Sequence, residues 1–182
     1  MAGDRAPYGE GEEGLQIAIG RLGRPHGVKG ELKLHPFFGE DLAESFIGET
    51  LVAGESPGNG PVRLALASVR GSGQTQLVAF EGIDTPEQAA ALTNRNLLAP
   101  RRIMPDLPKG HYYHEEVVGL PVYDPEGRLL GRLTGFFSAG VADVWTIATQ
   151  TGGELMIPCL PETLLKVDLL EGRIVMKPME ME

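Results

Sequence analysis

The chain has 182 residues, 42% of them hydrophobic and 23% charged, with a formal net charge of −9 and a single cysteine, Cys159. No apolar run approaches the roughly 20 residues that a membrane span needs, one cysteine forbids an intrachain disulfide, and an acidic chain is a poor general binder of nucleic acid because phosphate contacts need many cations. The length admits one large domain or two small ones, and 25 glycines with 14 prolines favour many short strands over long helices.

Residues 1–14, MAGDRAPYGEGEEG, set one arginine against four acids. They read as a disordered tail, and with no apolar core they are not a signal peptide. A reducing cytoplasm is the expected compartment. From Leu15 the pattern has period two, which marks half-buried strands. Leu15, Ile17 and Ile19 alternate with small or polar residues, as do Leu32 and Leu34, then Val62, Leu64 and Leu66, then Val78 and Phe80. Thr85-Pro86-Glu87-Gln88 opens a short helix, with a capping residue, proline at the first helical position and an acid in the first turn. Ala89 and Leu92 are its expected buried contacts, and Asn94 or Asn96 its end.

Residues 101–110 hold Pro105 and Pro108 and follow Pro100, which makes them the best linker. Beyond them a second period-two region begins at Leu120 and Val122, turns at Asp124–Gly127, and continues with Leu129, Gly131, Leu133, Gly135 and Phe137 on one face. Residues 143–149, 154–158 and 173–177 read as further strands. The expectation is a mainly all-β chain. Two small antiparallel β-barrels, 15–100 and 111–178, are joined by a Pro-rich linker, with one short helix near the end of the first and a short tail at 179–182.

The stretch from Gly23 to Pro36, GRPHGVKGELKLHP, carries the densest candidate chemistry. It is not a phosphate loop, because Lys29 is followed by Gly30 and a strand rather than by Ser/Thr and a helix. It is not half a metal site either. The four histidines, His26, His35, His111 and His114, have no ligand spacing, and Val118 stands where a metalloprotease helix would have its second histidine. No Gly-x-Ser-x-Gly elbow is present, and Cys159 sits in an apolar context that suits an inert thiol. Arg24-Pro25-His26-Gly27 fits a type I turn. That accounts for the proline and glycine. It does not account for Arg21, Arg24, Lys29 and Lys33 clustering against Glu31 alone, and the other reading is an edge offering cations to an RNA backbone.

These residues resemble a known family. Gly20-Arg-Leu-Gly-Arg-Pro-His26-Gly27-Val-Lys-Gly30-Glu-Leu-Lys-Leu is similar to the N-terminal signature of the RimM ribosome maturation factors. Gly82-Ile-Asp-Thr-Pro-Glu-Gln-Ala89 resembles the segment closing that family's first domain. Gly110-His-Tyr112-Tyr113, Gly119-Leu-Pro-Val122, Gly140-Val-Ala-Asp143-Val-Trp, Met156-Ile-Pro158 and Val167-Asp168 continue the likeness in order through a PRC-type barrel, over roughly 15–178. The chain departs from the family at His114, Glu115 and Glu116, where an aromatic and an aspartate are common, and at Cys159, where phenylalanine often follows Ile-Pro.

The resemblance implies a six-stranded first barrel and a non-enzymatic role with no cofactor and no metal. It implies a monomer that binds free small ribosomal subunits, through 16S rRNA of the head and the basic small-subunit ribosomal protein number nineteen, and assists head assembly and rRNA processing. The rRNA-contact candidates are then Arg24, His26, Lys29 and Lys33. Arg101 and Arg102 are either a solvated hinge or a second phosphate contact. Tyr112 and Tyr113 point to opposite sides of an extended segment. They are packing residues on composition and an aromatic anchor on the resemblance, with Glu115 and Glu116 as acids facing a basic partner. Asp143 reads as a turn cap. The rivals are a flavin-binding barrel oxidoreductase, for which no phosphate fingerprint exists, and a PRC-barrel adaptor with no ribosomal role.

Overall fold

The computed structural model describes residues 14–39, 42–71 and 73–179. Most of the two expected tails therefore lies outside the described residues. The described chain falls into two compact units, 14–106 and 107–179. It is mostly β, with two six-stranded sheets and very few helices.

In the first unit β1 (Gln16–His26), β2 (Glu31–Pro36), β3 (Thr50–Ala53), β4 (Val62–Arg70), β5 (Gln76–Phe80) and β6 (Asn96–Pro100) close into a barrel of order β1-β2-β5-β4-β3-β6. Every pairing is antiparallel. The alternation of the sequence becomes the barrel's inside: Ile17, Leu22, Leu32, Leu34, Leu51, Leu66, Val78 and Leu97 are buried. Helix α1 (Pro86–Ala90) starts where its cap residue predicts. Thr85 Oγ1 accepts from the Gln88 backbone N–H, and Gln88 Oε1 accepts from the Thr85 N–H, so two otherwise orphaned donors are satisfied. Ala89 and Leu92 are buried as expected. The helix ends earlier than expected, at Ala90 with Ala91 as its C-cap; Asn94, at φ 67°, lies in the turn that follows, and Asn96 is already the first residue of β6.

The turn between β1 and β2 lies later than the sequence suggests. Arg24 to His26 remain in β1, and His26 pairs with Glu31 across a turn at 27–30. Pro25 sits where the register shifts between Leu22 and Pro25, at a bulge, which is where a strand tolerates a residue lacking its N–H. Gly27 and Gly30 supply the positive φ the turn needs, at 67° and 76°. Gly30 has a second constraint. A Cβ there would fall on the Ile83 carbonyl oxygen, with the carbonyl carbon at 2.8 Å, so the hairpin rests directly on the segment leading into α1.

The second unit is a six-stranded sheet of order β10-β9-β8-β7-β12-β11. Its strands are β7 (Pro121–Tyr123), β8 (Leu129–Ser138), β9 (Asp143–Thr149), β10 (Glu154–Pro158), β11 (Leu164–Asp168) and β12 (Arg173–Met176). A short helix α2 (His114–Val117) precedes them. Two expectations are corrected here. The sheet is not wholly antiparallel: β7 and β12 pair in parallel, which the long path through β8 to β11 permits. Phe137 does not share the face of Leu133. The register shifts between Leu133 and Gly135, so the alternation inverts. Phe136 then turns inward, stacked 5.8 Å from Trp145, and Phe137 faces solvent. The core is Val117, Val122, Leu133, Trp145, Ile147, Ile157, Ile174 and Met176.

Candidate functional site

On the first barrel, the outer face of β1 and β2 collects the cations. Arg21 lies opposite His35 across the pair, and Arg24 follows at the bulge. On β2, Lys33 and His35 are exposed while Leu32 and Leu34 fill the barrel. Between them is a hollow of about 380 Å³, lined by Arg21, Gly23, Arg24, Lys33, His35 and Asn94 among others. Its floor is Gly23. A Cβ there would come 3.0 Å from His35 Nε2 and 3.3 Å from Lys33 Cβ. Its wall is the segment after α1, stitched to β1 in both directions. The Asn94 N–H donates to the Leu22 carbonyl at 2.8 Å, and the Leu22 N–H donates to the Arg95 carbonyl at 2.9 Å. Arg95 is itself buried and donates to the Gly54 and Gly60 carbonyls, which fixes that wall from behind.

The one acid of the hairpin is already engaged. Glu31 accepts from Arg70 at 2.8 and 2.5 Å. The Arg70 guanidinium holds the Glu31 carboxyl below its usual range, with His26 and Lys29 adding smaller pulls in the same direction. The face therefore keeps its positive sign although the chain as a whole is acidic.

The structure brings Arg24 and Lys33 to the hollow. His26 and Lys29 lie at the hairpin tip beside Glu31. Arg101 is in a 3-10 turn (Arg101–Ile103), where it donates to the Met104 carbonyl at 3.3 Å and meets Asp106 at 3.4 Å; Arg102 beside it is exposed. Arg21 belongs to the cation cluster of the sequence but not to the rRNA-contact candidates, and His35 and Asn94 belong to neither. Period two along β2 was the available signal for His35, since it places His35 and Lys33 on one face.

On the second unit, Tyr112 and Tyr113 do part as an extended segment requires, but neither stands free. Tyr113 is 2% exposed, and Tyr112 is half-buried against the core beside Cys159. Burial pushes the Tyr112 phenol up, with the neighbouring Cys159 and Glu116 adding to it. Burial likewise raises the Cys159 thiol, helped by Asp143, which disfavours the reactive thiolate. Glu116 caps α2, accepting from the Tyr113 N–H at 3.0 Å, and Glu115 is half-buried. Phe137, which the period-two reading places on the core face, is exposed, as are the apolar Val141 and Met156. Among the described residues no cluster of three His, Cys, Asp or Glu side chains is placed to hold a metal, and no helix is long and apolar enough to cross a membrane.

Two family models match the chain in succession: the RimM N-terminal domain over residues 17–104 and the RimM PRC barrel domain over residues 114–181. The chain belongs to the RimM family. The ribosome maturation factor RimM of Rhodopseudomonas palustris strain BisB5 is 33% identical over 167 residues, covering 91% of this chain and 92% of its own length. That of Symbiobacterium thermophilum is 33% identical over 164 residues, covering 89% and 91%. A crystal structure of a Pseudomonas aeruginosa protein described as a 16S ribosomal RNA processing protein RimM covers 89% of this chain and 96% of its own, at 23% identity and a TM-score of 0.42. The relatives are named for ribosome maturation, an assembly role, and not for a chemical reaction.

Proposed function

We propose that this chain acts in the cytoplasm, as a monomer, to help assemble the small ribosomal subunit. It binds the free subunit at two places. The barrel of 15–100 contacts 16S rRNA of the head through Arg24, His26, Lys29 and Lys33, with Arg101 and Arg102 as a second contact. The PRC-type domain of 111–178 docks ribosomal protein number nineteen. The observation that carries the reading is the row of exposed cations on β1 and β2 of a chain whose net charge is −9. Cations gathered on one face of an acidic protein suit a local phosphate contact and not general nucleic-acid binding.

At the second place, residues 101–182 set eight basic side chains against twelve acids, a balance that suits a basic partner. Tyr112 and Glu115 are the contact candidates there. Tyr113 and Glu116 act from beneath, one filling the interior and the other capping α2. Sedimentation of the purified chain with free small subunits, beside assembled ribosomes and at two salt concentrations, tests the reading. Co-migration with the free subunit alone is the expected result. No co-migration even at low salt would overturn it.

A further inference from the structure

The outer face of β2 does not end with its cations. Lys33 and His35 alternate with the buried Leu34 and the half-buried Pro36, and Phe37 continues the alternation. Its N–H donates to the Ile19 carbonyl at 3.0 Å, so the ladder with β1 extends one residue beyond the strand. Phe37 is 53% exposed. Lys33, His35 and Phe37 thus stand on one side of the strand at intervals of about 7 Å. A single exposed phenylalanine is ordinary on any protein. One in line with a cationic hollow leaves about half of its surface open to a ligand beside those charges.

We infer that this face binds single-stranded RNA, with one backbone phosphate in the hollow at Arg21, Arg24 and Lys33 and an unpaired base on the Phe37 ring. That this RNA is ribosomal rests on the assembly role proposed above. Three arguments favour a single strand over a duplex. The cations are few. This face offers Arg21, Arg24, Lys29 and Lys33 on a chain whose net charge is −9, and so few cations give phosphate contacts alone a small share of the affinity. The hollow is bounded on one side by Asn94, whereas a duplex presents a broad, regular surface. A flat aromatic face is useful only to a base that is not already stacked inside a helix.

The two halves of the site divide the work. Guanidinium groups hold a phosphate oxygen pair in a fixed fork. Beside them, His35 has Nδ1 within 3.5 Å of Thr75 Oγ1 and its Nε2 over Gly23, so the ring is positioned at the rim of the hollow. Stacking on Phe37 adds affinity without reading the base, since every base has a π-face.

The test is fluorescence anisotropy of the full chain with a labelled oligouridine strand and with an RNA duplex of the same length. The wild-type chain binds the strand more tightly than the duplex. Phe37→Ala weakens strand binding by about tenfold, and Phe37→Leu does not restore it, since bulk without a π-face is not enough. Arg21→Ala with Arg24→Ala lowers the salt slope by about 0.7, the value for one phosphate of a single strand. Equal binding of strand and duplex, or full strand affinity in either Phe37 variant, overturns the inference. Sedimentation of the wild type with free small subunits, run alongside, separates the two readings. Retention on subunits without a strand preference overturns the single-strand site and leaves the assembly role standing. Strand preference without retention overturns the assembly role and leaves the site.

Discussion

Replacing Gly30 by alanine should destabilise the first barrel far more than replacing Gly27, although both glycines lie in one turn with φ of 76° and 67°. A non-glycine residue in the left-handed region costs about 1–2 kcal/mol, and the stiffer unfolded chain of an alanine variant returns about 0.4–1 kcal/mol. Gly27→Ala has no other term, because nothing lies within 4 Å of where its Cβ would be; the net loss is about 0–1.6 kcal/mol. Gly30→Ala drives its Cβ into the Ile83 carbonyl, with Asp84 at 3.0 Å, and neither is a flexible side chain that could move aside. A forced backbone shift of that kind adds about 1–3 kcal/mol, so the total loss, after the same return from the unfolded chain, is about 1–5 kcal/mol. The assay is urea unfolding followed by far-ultraviolet circular dichroism. The chain's one tryptophan, Trp145, lies in the second unit, so its fluorescence does not report the barrel and serves as the internal reference. Losses for the two variants that agree within about 0.5 kcal/mol would refute the claim that the hairpin is seated on residues 83–84, since backbone strain alone is common to both.

Thr85→Ala removes the side chain that accepts from the Gln88 N–H and should cost about 1 kcal/mol; Thr85→Ser should retain nearly all of that, and the same unfolding assay distinguishes them. Glu31, Asp124 and Asp168 should make the fold acid-sensitive. Arg70 lowers the Glu31 carboxyl and Lys166 lowers that of Asp168, while burial raises Asp124 but bonds from the Arg128 backbone and guanidinium outweigh it. A carboxyl whose folded pKa lies below its unfolded one stabilises above the unfolded value, and that stability is lost as pH falls through the folded value. Unfolding midpoints should therefore decline from about pH 4 downwards, and Asp124→Asn should flatten part of the decline; midpoints independent of pH in that range would refute the pairing. Tyr112→Ala should weaken retention on free small subunits while leaving the fold intact. Tyr113→Ala should lower stability by about 3 kcal/mol as a buried aromatic truncation, so only the first is a test of docking, read by sedimentation beside a thermal melt.

The strands that show period two on paper, β1, β2, β4 and β5, are those with one face in the barrel and one in solvent. β6 was invisible for the opposite reason. Leu97, Leu98, Ala99 and Pro100 are all buried, so nothing alternates. A bulge is illegible because the extra residue is defined by the partner strand. That is why the sequence suggests a turn at Pro25 and puts Phe137, not Phe136, on the core face. The site shows the same division. The charges of Arg24, Lys29 and Lys33 could be read directly, and the positive sign of the face follows from their excess over Glu31. The pairing of Glu31 with Arg70 could not, nor could the wall supplied by Asn94, because both come from segments far along the chain.

A protein that acts by binding alone can advance an assembly only through a difference in affinity between early and late states; equal affinity shifts nothing. Cations by themselves supply little of that difference, since phosphates line rRNA before and after it folds. An aromatic face supplies more. In the site inferred above, a base that is unpaired only before the RNA reaches its final pairing would meet Phe37 early and not late, and stacking worth about 1–3 kcal/mol would then give a preference of about 5- to 150-fold for the unfolded segment. On that reasoning the hollow sets where the barrel sits, and Phe37 sets when it leaves.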